Sequence, residues 1–390
     1  MTYTVVIPTI GRPSLGQLVS AIGCDSSVRH SRPIIVVDDR PDGGVLRLPG
    51  IGVPVRVLRS GGRGPAAARN VGWRAAATEW VVFLDDDVLP GPGWAAELER
   101  DLRGLGPDVA ASQGRIEVPL PADRRPTDFE RGTAALARAR WITADMAYRR
   151  AALLRVGGFD ERFRRAYRED SDLALRVIAA GYRIVAGQRR TIHPVRPSPP
   201  LASVSAQRGN ADNALMRRRH GPRWRHRIGE GPGRLPQHIL TAAALTAWLA
   251  HRVLGTDRGN HDRIYRGLSP ERISWAARAA GMVWLGLTGE FAVRRILAGP
   301  WSAGEIGRMV VTSVAIPPVA CWHRLAGEWR WRGVSRASAV PAAVLFDRDG
   351  TLVHDVPYNG DPAAVRPVPG ARAALRRLRG IGIPVGVVTN

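Results

Sequence analysis

Trp80-Val-Val-Phe-Leu-Asp-Asp-Asp87 is the stretch whose reading decides the fold. An uncharged run, Trp80 to Leu84, stops abruptly at three consecutive carboxylates. The run predicts a central strand buried on both faces, as in a parallel sheet. Open α/β sheets bind ligands at the C-terminal ends of their strands. There, strand alternation sends Asp85 and Asp87 to one face and Asp86 to the other. Crowded carboxylates raise one another's energy unless a cation neutralises them. Mg²⁺ or Mn²⁺ carrying a phosphorylated ligand suits that role, because these ions take carboxylate oxygens and keep positions open for phosphate. The competing reading of this segment alone is a solvated acidic turn before Pro90-Gly91.

The chain before it supplies the rest of a sheet. Residues 3–9, YTVVIPT, read as a first strand ending at Pro8-Thr9, followed by a loop with Gly11 and Pro13. Ser14 caps a helix to about Ile22. Pro33-Ile-Ile-Val-Val-Asp-Asp39 is a second buried strand, and Val55-Arg-Val-Leu58 a weaker third. A glycine-rich loop from Gly61 then runs into an alanine-rich helix. This order predicts an α/β fold with a mainly parallel sheet. Further on, Glu169-Asp170 precede an amphipathic helix whose stripe is Leu173, Val177 and Ile178, ending at Gly181. A carboxylate at a helix N-terminus is favoured in its ionised form, ready to accept a proton. A strand over Tyr182–Val185 leads towards His193-Pro194.

VVIPTIGRP, VVDD, GPAAARNVG and VVFLDDD, followed by Gly157-Gly-Phe-Asp-Glu161 and Glu169-Asp-Ser-Asp-Leu173, resemble family 2 glycosyltransferases in order and spacing over about residues 3–195. The resemblance implies a GT-A-like nucleotide-diphospho-sugar transferase fold. It implies transfer of a sugar, with inversion, from a nucleotide-sugar donor to a glycan, lipid-linked or small-molecule hydroxyl acceptor. It also carries roles onto residues. Pro8 and Thr9 line the base pocket, Asp39 bonds the base, and Arg69 meets phosphate or base. Asp85 contacts ribose, Asp86 lies in the same nucleotide site, and Asp87 binds Mn²⁺ or Mg²⁺, a Lewis acid for the leaving diphosphate. On the acceptor side stand Asp145, Gly158 and Glu169, with Asp170 as general base and Asp172 a first-turn residue. His193 reads as a third metal ligand or diphosphate contact, or else as an ordinary loop histidine.

Composition sets the electrostatics. The net charge is +23, and every basic side chain counted in it is arginine, because the chain has no lysine. Acidic partners follow: nucleotide phosphates, anionic lipid surfaces or nucleic acid. Cys24 and Cys321 match no metal spacing, which fits a reducing cytoplasm. The first strand begins almost at once, so no signal peptide is expected before it.

After Pro194 the character changes. Val195-Arg-Pro-Ser-Pro-Pro200 reads as a linker, residues 207–234 are dense in arginine, and Leu235–Leu254, Trp275–Leu297 and Met309–Trp322 are apolar. Their uncharged runs fall short of the ~20 residues a bilayer span needs. Trp248, Trp284, Trp322, Trp329 and Trp331 among arginines predict interfacial helices on an anionic membrane, at the inner face of the cell membrane. A helical subdomain is the alternative; a nucleic-acid surface lacks any accompanying module.

Ala342-Ala-Val-Leu-Phe-Asp-Arg-Asp-Gly-Thr-Leu352 is a strand running into Asp-x-Asp-Gly-Thr. With Pro369-Gly370 and Val385–Asn390 it resembles haloacid-dehalogenase-type phosphatases, in the branch of histidinol-phosphate and heptose-bisphosphate phosphatases. The resemblance implies Asp347 as nucleophile and Asp349 as acid/base, both on Mg²⁺, and Thr389 as a phosphate-binding hydroxyl. The later motifs are missing before Asn390, so this part is expected to be inactive. The expected division is a transferase over 1–195, an arginine-rich helical extension over 196–338 and a phosphatase fragment over 339–390. The expected setting is cell-envelope or secondary-metabolite glycan synthesis. Two rivals stand beside this reading. One is a sugar nucleotidyltransferase, which usually carries a glycine-rich, basic loop where Pro8-Thr-Ile-Gly-Arg12 stands. The other is a binding module with a degenerate transferase domain, against which Asp85–Asp87 and Asp170 argue.

Overall fold

The computed structural model describes residues 2–24, 33–50, 52–254, 270–336, 343–356, 361–380 and 383–389. The chain divides into two units. The first holds residues to Glu117, Ala139–Pro194 and 337–390; the second holds Val118–Arg138 and Val195–Arg336. In chain order the elements are β1 Tyr3–Thr9, α1 Ser14–Cys24, β2 Ile34–Asp38, β3 Val55–Arg59, α2 Pro65–Ala75, β4 Trp80–Leu84, β5 Leu89–Pro90, α3 Trp94–Leu102 and β6 Val109–Glu117. There follow α4 Asp128–Ala134, β7 Asp145–Arg149, α5 Arg150–Val156, α6 Glu169–Ala179, β8 Arg183–Ile192, α7 Ala202–Ser205, α8 Gly209–His220, α9 Trp224–Arg227 and α10 Leu235–Leu254. Last come α11 Pro270–Ala298, α12 Ala303–Arg330, β9 Val344–Asp347, α13 Ala371–Gly380 and β10 Val385–Val388.

The uncharged runs become the buried centre of the first unit. Every residue of β1, β2 and β4 is buried. Among the described residues the main sheet has the order β3-β2-β1-β4-β7-β6-β8-β5. The first four strands are mutually parallel, and β7 then runs antiparallel to β4. The sheet is therefore mixed: parallel through the half that carries the aspartates, with antiparallel pairs beyond it. Thr9 lies opposite Asp38, so β1 and β2 end together, and Val6 lies opposite Phe83, so β4 ends two residues short of them. Helix α2 lies hard against these strands because of Gly72. A Cβ there would come within 2.3 Å of the Val6 side chain.

Two sequence expectations change. Strand β8 is ten residues long and does not stop at Val185. Its second half alternates, with Gly187, Arg189 and Thr191 buried and Gln188 and Arg190 exposed. A buried arginine disguises this pattern as a polar loop. The helical unit also does not begin at residue 196, since Val118–Arg138, lying between β6 and β7, belongs to it. The other expected boundary, at 338–339, lies outside the described residues, as do Ala342 and Asn390.

Within the second unit, α10, α11 and α12 pack on one another, and α12 packs on α8. Gly327 permits the latter approach: a Cβ there would meet the Ala211 backbone at 2.6 Å. Arg295 is buried and donates to Asp128, Thr312 and Ser313 at 2.8, 2.8 and 3.0 Å, which ties residues 118–138 to α11 and α12. Trp248 and Trp284 stack with ring centroids 5.5 Å apart. They and the buried Trp331 therefore serve the interior, against the expectation that all five tryptophans lie at an interface. In the first unit's C-terminal part, β9 and β10 pair in parallel, with Asp347 opposite Val388.

Candidate active site

After Leu84 the chain turns, with the Val88 N–H reaching the Asp85 carbonyl, and strand alternation ends there. The three aspartates consequently take different sets of partners, with Arg12 shared by Asp86 and Asp87. Asp85 is the most open and accepts from Arg69 at 2.7 Å. Asp86 is buried; it accepts from Thr9 Oγ1 at 2.6 Å and from Arg12. That inward engagement corrects its expected place in the nucleotide site, because it ties β4 to β1 and the loop after it. Asp87 lies 3.7 Å from His193 Nε2 and 3.8 Å from Arg12 Nη1.

His193 reaches Asp87 because β8 continues to Ile192 and the His193 N–H then bonds the Glu117 carbonyl at 2.8 Å. Among the described residues, no group of three His, Cys, Asp or Glu side chains forms a closed metal cage. Asp87 and His193 together offer one carboxylate and one imidazole nitrogen, a donor pair suited to a transition-metal dication such as Mn²⁺ that would take its remaining ligands from elsewhere.

Asp39 and Pro8 occupy the adjoining strand ends. Asp39 accepts from Ser60 Oγ at 2.7 Å and from the Arg63 and Gly64 N–H groups at 3.0 and 2.8 Å, so it anchors the glycine-rich loop. Pro8 is buried in β1 opposite Val37.

Arg69 joins the two halves of the site. It is 2% exposed, and besides Asp85 it donates to Glu169 at 2.9 Å from the first turn of α6. Asp170 follows in the same turn and accepts from the Ser171 N–H at 2.6 Å. Burial pushes Glu169 above the usual carboxylate range; the neighbouring Asp170 charge adds to this, and Arg69 opposes it. Burial likewise raises Asp170, against the Ser171 N–H, Arg69 and Arg168. Tyr148 faces this cluster: its hydroxyl is buried without a hydrogen-bond partner, and burial and Asp170 both raise its pKa. The arrangement holds a proton-accepting pair beside an arginine that also touches a strand-end carboxylate.

Two acceptor-side expectations are corrected. Asp145 is fully buried and its oxygens accept from Arg189, Trp94 and Thr191 at 2.7, 2.7 and 2.6 Å, which seals it inside the unit. Gly158 packs on α2, where a Cβ would come within 2.6 Å of Asn70 and Trp73. Asn70 explains this approach: it receives the Phe159 N–H and donates to the Phe159 carbonyl, both at 2.9 Å. Asp172 is buried in the first turn of α6 and bonds Arg176 at 2.8 Å, while Arg176 also holds the Val156 and Gly158 carbonyls. Sequence reasoning gave no role to Arg12, Asn70, Tyr148 or Arg189. Arg12 carried the one available signal, a basic residue after Gly11 at a strand end.

Residues 4–163, less than half of the chain, match the family model described as Glycosyl transferase family 2. Over 198 residues the chain is 33% identical to the pre-mycofactocin glycosyltransferase of Mycobacterium tuberculosis, in strains CDC 1551 / Oshkosh and ATCC 25618 / H37Rv. The match covers 46% of this chain and 40% of those relatives, so the chain spans well under half of their length. Among solved structures it is similar to the mannosyltransferase PcManGT from Pyrobaculum calidifontis, in complex with GDP-Man and Mn2+. That likeness has 18% identity, coverage of 83% and 86% of the two chains and a TM-score of 0.44. It is also similar to S. aureus TarS 1-349 in complex with UDP, with 16% identity, coverage of 84% and 92% and a TM-score of 0.36.

Proposed function

We propose that this chain is a metal-dependent, inverting glycosyltransferase that moves a sugar from a nucleoside-diphosphate donor to a hydroxyl acceptor. The observation that carries the reading is the Asp85–Arg69–Glu169 bridge, which brings the donor-side strand ends and the Glu169-Asp170 pair to one guanidinium. The family match over residues 4–163 and the identity to a curated glycosyltransferase support the same class.

On this reading the nucleotide lies over the ends of β1, β2 and β4, with the base beside Pro8, Thr9 and Asp39 and the ribose at Asp85. Asp87 and His193 would hold Mn²⁺ or Mg²⁺, whose Lewis acidity stabilises the leaving diphosphate. Arg12 stands beside Asp87 as a cationic contact for phosphate oxygens. Asp170 takes the proton of the acceptor hydroxyl while its oxygen bonds to the anomeric carbon. The bond from that carbon to the diphosphate oxygen breaks on the opposite face, which inverts the centre. Glu169, fixed by Arg69, keeps the α6 N-terminus in register with Asp85.

The segment around β9 and β10 we read as the front of a haloacid-dehalogenase-type phosphatase. Its support is the parallel pairing that sets Asp347 opposite Val388, next to Thr389. Asp347 and Asp349 would be its Mg²⁺ carboxylates. Asp349 is here ion-paired with Arg348 at 2.9 Å.

Calorimetric titration of the full chain with UDP and GDP, with and without Mn²⁺, tests the transferase site. One of them should bind only with metal, and Asp87→Ala should remove that binding while leaving the circular dichroism spectrum unchanged. Unaltered metal-dependent affinity in Asp87→Ala would end the metal assignment.

A further inference from the structure

Helices α10, α11 and α12 are apolar on two sides. A helix on the surface of a water-soluble unit needs one apolar stripe, facing the core. On α11 the inward stripe is Ala277, Thr288, Ala292 and Arg295, all buried. A second stripe, at spacings of three and four residues, runs Trp275, Arg278, Met282, Leu285, Gly289, Val293, and all of it is exposed. On α12, Met309, Thr312, Ile316 and Ala320 face inward, while Val311, Val314, Pro318, Trp322, Leu325 and Trp329 are exposed. Helix α10 repeats the pattern with Ile239, Leu240, Leu249 and Val253 outside. Trp275, Trp301, Trp322 and Trp329 are each exposed by 68–74%. Contiguous apolar surface of this extent marks an interaction site on a folded unit.

The charges say what covers it. No charged residue interrupts α11 between Ala279 and Gly289, or α12 between Met309 and Trp322. At the ends of these apolar stretches stand the exposed arginines Arg252, Arg278, Arg294, Arg330 and Arg332. Glu290, Glu305 and Glu328 are already ion-paired: Glu290 with Arg234 and Arg294, Glu305 with Arg308, Glu328 with Arg217, Arg218 and Arg324. An apolar band edged by tryptophan and exposed arginine complements acyl chains beneath anionic headgroups. Helix α12 is also long and apolar enough, by length and composition, to cross a membrane, and only 33% of its most apolar window is buried in the unit.

We propose that the outward faces of α10, α11 and α12 dock the protein on an anionic lipid bilayer, with these tryptophans and aliphatic side chains below the headgroups and the flanking arginines among them. This goes beyond the transferase reading and stands whether or not that reading holds.

The test uses the full chain with vesicles of phosphatidylcholine, alone or mixed with phosphatidylglycerol. Co-sedimentation should be stronger with the anionic vesicles and weaken with salt, and vesicles with brominated acyl chains should quench tryptophan fluorescence. A quadruple variant, Trp275→Gln, Met282→Gln, Trp322→Gln and Leu325→Gln, changes only exposed positions, so circular dichroism should be unaltered. Its partitioning should fall by about tenfold or more, given the apolar area withdrawn from the lipid. Three results would overturn the proposal. The first is no binding to anionic vesicles at low salt. The second is equal binding by the variant. The third is a wild-type dimer that the variant converts to monomer, with neither form on vesicles, which would assign the face to a second copy of the chain.

Discussion

The strand ends of the first unit and the helices of the second use polarity in opposite directions. At the strand ends apolar residues fill the interior, and Asp85, Asp86, Asp87, Arg69 and Glu169 gather at the turn after β4 and the first turn of α6. In the helical unit the buried charge is structural, with Arg295 holding Asp128, Thr312 and Ser313, and a second set of apolar side chains lies outside. A buried ion pair costs desolvation and is weak evidence for stability as such. Location distinguishes the two cases. One set of charges meets the turn after a central strand, and the other clasps a chain segment to two helices.

The comparison breaks first at Asp170. If the strand-end charges are chemical, Asp170→Asn should lower turnover by about 10²–10⁴-fold, the usual contribution of a general base. Donor affinity should be kept, as measured by single-turnover kinetics beside titration. Asp172→Asn should spare the chemical step and lower stability, because Asp172 holds Arg176. The reverse outcome would exchange the two roles.

Next come the arginines. Arg69→Met leaves Asp85 and Glu169 without their shared cation and should cost about 3–5 kcal/mol in urea unfolding. Arg295→Met should cost about 1.5–3 kcal/mol, the range for hydrogen bonds to charged groups, because Asp128 is more open than Glu169 and keeps Arg131. Equal losses would remove the distinction drawn above.

A smaller effect is expected with pH. Glu169 and Asp170 are raised in the folded state, so between the ordinary carboxylate range and their raised values the folded chain holds more protons than the unfolded one. Stability therefore falls as pH rises through that window. Glu169→Gln removes one of these protons, and thermal midpoints measured across pH 5 to 8 should vary less than in the wild type. A slope as steep as the wild type's would place the titration elsewhere. The smallest change belongs to the outer surface. Trp275→Ser should alter stability by no more than about 0.5 kcal/mol, as at exposed sites generally. A larger loss would mean that this tryptophan is packed.

The parts legible in the sequence were those whose signal is local. Tyr3–Thr9, Trp80–Leu84 and Leu235–Leu254 have the ends expected of them, because apolar runs bounded by charge, proline or glycine carry their own limits. What sequence spacing misjudged depends on distant partners. Asp145 looks like any polar residue on a strand, and the side chains that bury it, Arg189, Thr191 and Trp94, lie 44 to 51 residues away. The inward bonds of Asp86, to Thr9 and Arg12, join residues more than 70 positions apart, which no local pattern around Leu84 displays. Arg69 stood out in the glycine-rich motif, but its link to Glu169 spans 100 residues and follows only from the fold.

Residues 118–138 have a consequence for how the protein is made. The Asp128 N–H bonds Glu305 across 177 residues of sequence, and the Arg131 and Arg125 side chains bond carbonyls at Ala298 and Leu297. At ribosomal speeds of about 5–20 residues per second, this segment waits roughly 10–35 s for its partners to be synthesised. A gene fragment ending near residue 195 would leave it waiting indefinitely. The helical unit is therefore no cassette that can be detached or exchanged at one junction, since the chain passes between the two units at four points along its length.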